Sequence, residues 1–253
     1  MRRVLLVALP VLGLAAVAAF LILRDPTPEA VDLTAPAADA VGPAGIADDG
    51  TDEGGGGDAG DGGSAAADVV ADPSGTWTVR TDLVAFDGAA GAGSWVGYRI
   101  DEELATVGAF TAVGRTPDVG GTVVVAGTEV LEATITADLS TLTSDSGMRD
   151  GQVRRRIGDR PTSFELSGPL AFEVPTEPGA AVVVDAPGRL RIGEVERDVV
   201  VVLAASLDGD VLVVRGAVDV TLADFDVVVP RAAIVLSVAD VATVELQLLL
   251  TRD

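Results

Sequence analysis

The chain contains no cysteine, no histidine, no lysine and no asparagine in 253 residues. Without cysteine there is no disulfide framework, no thiol nucleophile and no thiolate metal site. Without histidine there is no imidazole base and no histidine-ligated zinc. The lack of lysine removes Schiff-base chemistry, and the lack of asparagine removes N-glycosylation acceptors. Aromatic residues are scarce too, at 4%, with one tyrosine, Tyr98. Any chemistry falls to carboxylates, hydroxyls, arginine and Tyr98, which points away from an enzyme.

Positive charge is in the minority. All 17 basic residues are arginine, against 39 Asp and Glu, for a formal net charge of −22. Phosphate neutralisation needs a basic surface, so nucleic acid is not an expected partner. Absent lysine beside abundant Ala, Val, Asp and Arg suggests GC-rich coding, and the acidity is read partly as codon bias. Asp101, Glu102 and Glu103 resemble the paired carboxylates of sugar hydrolysis. Among 39 acids such groups arise by chance, and no G-x-S-x-G, phosphate-binding loop or dinucleotide fingerprint occurs. No catalytic residue, metal ligand or cofactor is assigned.

What is present divides into three. Residues 1–24 open with Arg2 and Arg3 and continue with 20 uncharged, mostly apolar residues, Val4–Leu23. At about 1.5 Å per helical residue this run can cross a bilayer, and the charge asymmetry places the rest of the chain outside the cytoplasm. A cleaved signal peptide is the rival reading, with Ala16–Ala19 as the cleavage region, although the apolar run continues past it. Residues 25–73 carry 12 acidic residues and no basic one around a Gly/Asp-rich centre. Such composition predicts a disordered linker, about 40 Å end to end if fully flexible. Its alternating Asp and Gly invite a calcium reading, but no calcium-loop pattern is present.

Residues 74–253 form short Val-rich runs separated by Gly, Pro and Asp. Ala133, Ile135, Ala137 and Leu139 alternate with polar residues, as do Val218, Val220 and Leu222, and Val244, Leu246, Leu248 and Leu250. Period-two alternation of this kind predicts an antiparallel all-β domain, a barrel or a sandwich. A closed barrel removes unpaired edges, and small linings such as Val and Ala leave room for a ligand. A dry core of small residues fits the same pattern. Val199–Ala205 is apolar on both faces, which predicts that a loop, the helix or a ligand covers it. The one helical candidate lies in STLTSDSGMRDGQVRRR, Ser140–Arg156. There Ser144, Asp145 and Ser146 suit an N-cap, Asp150 and Arg154 an i,i+4 pair, and Gly158 the C′ position. Arg154, Arg155 and Arg156 then meet the negative end of the helix dipole, so the run needs no anionic partner.

Four blocks carry a resemblance to a known family: GTWTV at 75–79; SWVGYRIDEELATVGAFTAVGRTPDVGGTV at 94–123; DLSTLTSDSGMRDGQVRRR at 138–156 with PTSFEL at 161–166; and GRLRIGEVERDVVVVL at 188–203 with VTLADFDV at 220–227. In this order they resemble the YceI-like family of lipocalin-like barrels, and its actinobacterial branch more closely. Arg160, where an aromatic residue is usual, and Gly193–Val195 depart from the pattern. The resemblance implies an eight-stranded antiparallel barrel with one short helix and an apolar cavity for an amphiphilic isoprenoid-type lipid.

Candidate ligand-binding residues follow. Val96, Tyr98 and Ile100 alternate with Trp95, Arg99 and Asp101, so Tyr98 offers a hydroxyl to the lumen or is a core residue bonded to protein. Ala137 sits on an inward strand position where a larger side chain would fill the lumen. Phe110, Phe164 and Phe225 lie in the family blocks and are lining candidates. Arg149 and Asp150 match the family motif best, either meeting a lipid head or forming an Arg–Asp pair that pins helix to barrel. The expected protein is a single-pass membrane-tethered lipid-binding barrel outside the cytoplasm, with a homodimer allowed. The alternative is an envelope interaction module that uses the barrel as a scaffold.

Overall fold

The structure, a computed structural model, describes residues 27–41, 72–105, 107–155, 160–175, 177, 179–228 and 235–253. Val4–Leu23, the Gly/Asp-rich part of the linker, Arg156 and Gly158 lie outside the described residues. Among the described residues no helix is long and apolar enough to cross a membrane.

The strands are β1 (Gly75–Arg80), β2 (Trp95–Leu104), β3 (Gly108–Thr116), β4 (Val119–Ala126), β5 (Glu129–Ala137), β6 (Thr143–Ser144) and β7 (Thr162–Leu166). They continue as β8 (Leu170–Ala171), β9 (Val182–Ile192), β10 (Val195–Asp208), β11 (Val211–Thr221), β12 (Val235–Val238) and β13 (Val241–Arg252). Eight of them close a barrel in the order β1-β4-β5-β7-β9-β10-β11-β13, with β13 returning to β1. All pairings are antiparallel, as period-two alternation demands. The long hairpins turn tightly; β10 passes to β11 through Gly209-Asp210, with Gly209 at φ +57°, a conformation that side chains resist.

The barrel wall changes partner at β13. Leu249–Arg252 pair with β1, whereas Thr243–Gln247 pair with β2. The β2–β3 hairpin therefore extends the wall past β1 and β4. Pro117 marks the break between β3 and β4, since it has no N–H to donate to a ladder.

The expected helix is present but shorter than the passage. Leu139–Thr141 make one 3-10 turn, β6 pairs with β3, and the helix proper is Gly147–Val153. Ser146 is the N-cap, its hydroxyl accepting from the Arg149 amide. Arg154 is the C-cap, and Arg154 and Arg155 are exposed beyond the last turn, which itself holds no basic residue. The expected Asp150–Arg154 pair does not form: Asp150 is buried and accepts from the Ser144 hydroxyl at 2.6 Å. Nor does the cover expected over Val199–Ala205 extend to Val200, which is exposed.

Several outward-facing side chains are nevertheless buried: Trp95, Arg115, Arg215, Glu245, Gln247 and Leu249. Two pieces of chain cover them. The loop after β1 accepts from Gln247 at Gly91 and Gly93, from the Trp95 indole at Gly91, and from Arg115 at Gly88. The second cover corrects the sequence reading. Residues 27–41, inside the stretch expected to be a disordered linker, lie along the barrel wall. Arg99 donates to the Pro28 carbonyl, Arg115 to Glu29, and Arg215 to Ala35 and Pro36. The Val31 amide donates to Glu245, and the last turn, Ala38–Val41, brings Ala37 and Ala40 onto Val211, Val213 and Leu249.

Candidate binding cavity

The inward faces meet around a cavity of about 260 Å³ whose walls are almost wholly apolar. Val96, Tyr98 and Ile100 of β2 line it, as do Ala133, Ile135 and Ala137 of β5 and Val244, Leu246, Leu248 and Leu250 of β13. The alternation seen in the sequence thus selects the lumen side on three strands. At the end marked by the β4–β5 turn, Trp77 packs with Val79, Val125, Leu248 and Leu250 and fills the barrel. Small side chains along the remainder leave space that larger ones would occupy, and the dry-core alternative gives way to a cavity.

The opposite end carries the polar groups. Glu102 continues the inward face of β2 and lines the cavity together with Arg149 and the Thr162–Ser163 segment. Arg149 Nη2 donates to Glu102 Oε2 at 3.2 Å, and Nη1 donates to Asp145. The same guanidinium lies 5.7 Å from the centre of the Phe110 ring, a cation–π distance. One cation thus stands between two carboxylates. The Tyr98 hydroxyl has no hydrogen-bond partner among the described residues. Burial pushes its pKa up to about 12; Arg149 opposes this, and Asp150 and Glu102 add to it.

The seven expected ligand-binding residues are placed as follows. Tyr98, Ala137, Arg149 and Phe164 line the cavity. Phe110 packs beside it, under Arg149 and against the cluster around Ile100. Phe225 closes the 3-10 turn Leu222–Phe225 and is 2% exposed in that same cluster, a core residue at the cavity's margin. Asp150 faces Ser144 rather than Arg149, so the Arg–Asp pair expected to pin helix to barrel is replaced by Arg149–Glu102. Sequence reasoning considered Glu102 only as a catalytic candidate. Its place two residues beyond Ile100, on the lumen side of the alternation, was the signal for its actual position. Among the described residues no group of three acidic side chains could hold a metal ion.

No protein-family model and no curated protein matches the chain. Solved structures do. A polyisoprenoid-binding domain from Saccharophagus degradans, implicated in plant cell wall breakdown, superposes with a TM-score of 0.50 at 12% identity, over 70% of this chain and 98% of that one. The chain has the YceI-like barrel fold. BcnA of Burkholderia cenocepacia aligns at a TM-score of 0.47 and 17% identity, over 62% of this chain and 95% of its own. A mutant YceI protein with a monobromobimane guest aligns at 0.40 and 15%, over 55% and 84%.

Proposed function

We propose that the chain is a member of the YceI-like family that binds, rather than transforms, an amphiphilic isoprenoid-type lipid. The lipid's hydrocarbon tail lies in the cavity, and its head lies at Tyr98, Glu102 and Arg149. The observation that carries this reading is the apolar lumen, filled by Trp77 at one end and polar at the other. The structural neighbour of the same fold binds polyisoprenoid.

The charges narrow the head group. Glu102 and Asp145 already neutralise Arg149, so a phosphate there would meet one cation and two carboxylates, with like charges opposing it. An uncharged head with hydrogen-bonding oxygens suits this end better, and Tyr98 has a free hydroxyl to donate. Val4–Leu23 is read as an uncleaved membrane span with the barrel outside the cytoplasm, on its length, its flanking arginines and the acidity that follows.

Mass spectrometry of organic extracts from the natively purified full chain tests the function. An isoprenoid with an uncharged head is the expected finding. Extracts free of lipid, from protein whose cavity also rejects added isoprenoid, would turn the assignment toward a scaffold that binds by its surface.

A further inference from the structure

Five large apolar side chains stand exposed around one end of the barrel: Val107, Met148, Val228, Leu236 and Val241, each 45–75% accessible. They come from separate parts of the chain. Val107 lies in the β2–β3 turn; Leu236 belongs to β12, which pairs with β2 from Leu104. Val241 opens β13 opposite Thr221, the last residue of β11, and Val228 follows the 3-10 turn beyond it. Met148 precedes Arg149, which reaches Glu102. This is the polar end of the cavity, away from Trp77. Single exposed apolar residues are ordinary, and Leu83, Leu131, Val174, Val183 and Val200 are exposed on other parts of the barrel; five gathered at a cavity mouth form a contact surface.

The docked segment says what covers it. Reading backwards from Pro36, the chain passes Arg215, then Arg115, which lies opposite Gly97, then Arg99, two residues further along β2 toward Glu102. The chain therefore runs toward the mouth as residue numbers fall. Only Arg24, Asp25 and Pro26 separate Leu23 from the first docked residues, a reach of about 14 Å even when fully extended. The linker leaves no 40 Å of slack between the apolar run and the barrel, because residues 27–41 are spent on the wall.

We propose that this apolar rim rests on the surface of a lipid bilayer, so that the cavity mouth faces the membrane and lipid passes between the two. This rests on the reading of Val4–Leu23 as a membrane span. Exposed Asp101, Glu103, Asp224, Asp226 and Asp240 share the end with exposed Arg154, Arg155, Arg160 and Arg197. The charges are mixed, with acids well represented, so apolar contact with a zwitterionic surface is favoured over attraction to an anionic one.

Because the chain has no cysteine, single probes are unambiguous. Leu236→Cys at the rim and Thr128→Cys at the far turn, each carrying an environment-sensitive fluorophore, are reconstituted as full chains into phosphatidylcholine vesicles with nitroxide-labelled lipid. The fluorophore at 236 is expected to be quenched several-fold more than that at 128. Equal or weaker quenching at 236, in protein that floats with the vesicles, overturns the rim contact and leaves the span standing. Protein left behind by the vesicles overturns both.

Discussion

Arg149 and Glu102 join the helix to β2 across the cavity mouth, Nη2 to Oε2 at 3.2 Å, with the side chains 17% and 10% exposed. Such a pair is only partly screened by water, and removing Arg149 leaves the largely buried Glu102 carboxylate without its cation. Arg149→Gln is expected to lower stability by about 1–3 kcal/mol and to reduce lipid retained through purification. Glu102→Gln in addition should recover part of that stability, because the stranded charge is gone. Urea melts of the single and double variants check this; additive losses would show that the two residues do not act as a pair.

Tyr98 is the only tyrosine, so absorbance at 295 nm reports its ionisation alone. Burial raises its pKa to about 12, against about 10 in the unfolded chain. The folded state then holds the proton more tightly than the unfolded state between those values. The stabilisation is complete below pH 10 and is lost as pH rises from 10 to 12, by about 2–3 kcal/mol. The expected titration midpoint is near 12 in buffer and near 10 in denaturant. A native midpoint near 10 would mean that water reaches the hydroxyl freely.

The lumen was legible because period-two alternation is a property of side chains. Tyr98, Ala137 and the even-numbered residues of β13 from Ala242 to Leu250 fall on the cavity side as the pattern requires. What the pattern cannot tell is whether an outward position meets water. Glu245, between Val244 and Leu246, reads as a solvent residue and is 2% exposed. Its cover was invisible for a related reason: Arg99, Arg115 and Arg215 bind residues 27–41 through backbone carbonyls, which any sequence supplies. An acidic, Ala/Pro-rich stretch therefore looked like linker. The partners of Arg149 were missed because the nearest acid in sequence, Asp150, turns to cap the Ser144 loop instead.

Ala137 lines the cavity from β5, paired with Thr162 of β7. Ala137→Phe places an aromatic ring in empty space rather than in a packed core, so the usual overpacking cost of about 1–3 kcal/mol should be small here. The expected variant is folded, with a melting temperature close to that of the parent, and depleted of lipid in organic extracts. Undiminished lipid in this variant would place the ligand elsewhere.

Gly188 of β9 faces inward beneath the Phe164 ring, and a Cβ there would overlap two of its ring carbons. Gly188→Ala must push the ring aside. Phe164 lines the cavity, so the displacement moves it into the lumen or strains β7. A loss of about 1–3 kcal/mol follows from overpacking, together with weaker lipid retention. The same Cβ would also lie 2.6 Å from the Glu165 carbonyl oxygen, so Gly188→Ala combined with Phe164→Leu should recover only part of the loss; calorimetric melts of the two variants decide the matter.

Residues 27–41 are held by guanidinium-to-carbonyl bonds rather than by charge pairing, and this has a measurable signature. Arg215 donates to Ala35 at 2.5 Å, to Pro36 at 3.1 Å and to Gln247 at 3.0 Å. A hydrogen bond from a charged donor contributes about 1.5–3 kcal/mol. Arg215→Gln should therefore speed amide exchange in 27–41 by roughly ten- to a hundredfold, most clearly at Val31, whose amide donates to Glu245 at 3.1 Å. Exchange in β9 and β10 should stay slow, because the barrel closes without this segment. Raising the salt concentration in the parent should change little: carbonyls carry no net charge, so screening leaves these bonds in place. If salt alone released the segment, its acids, Asp32 and Asp39, would be what binds it to Arg215, and the carbonyl bonds would be secondary.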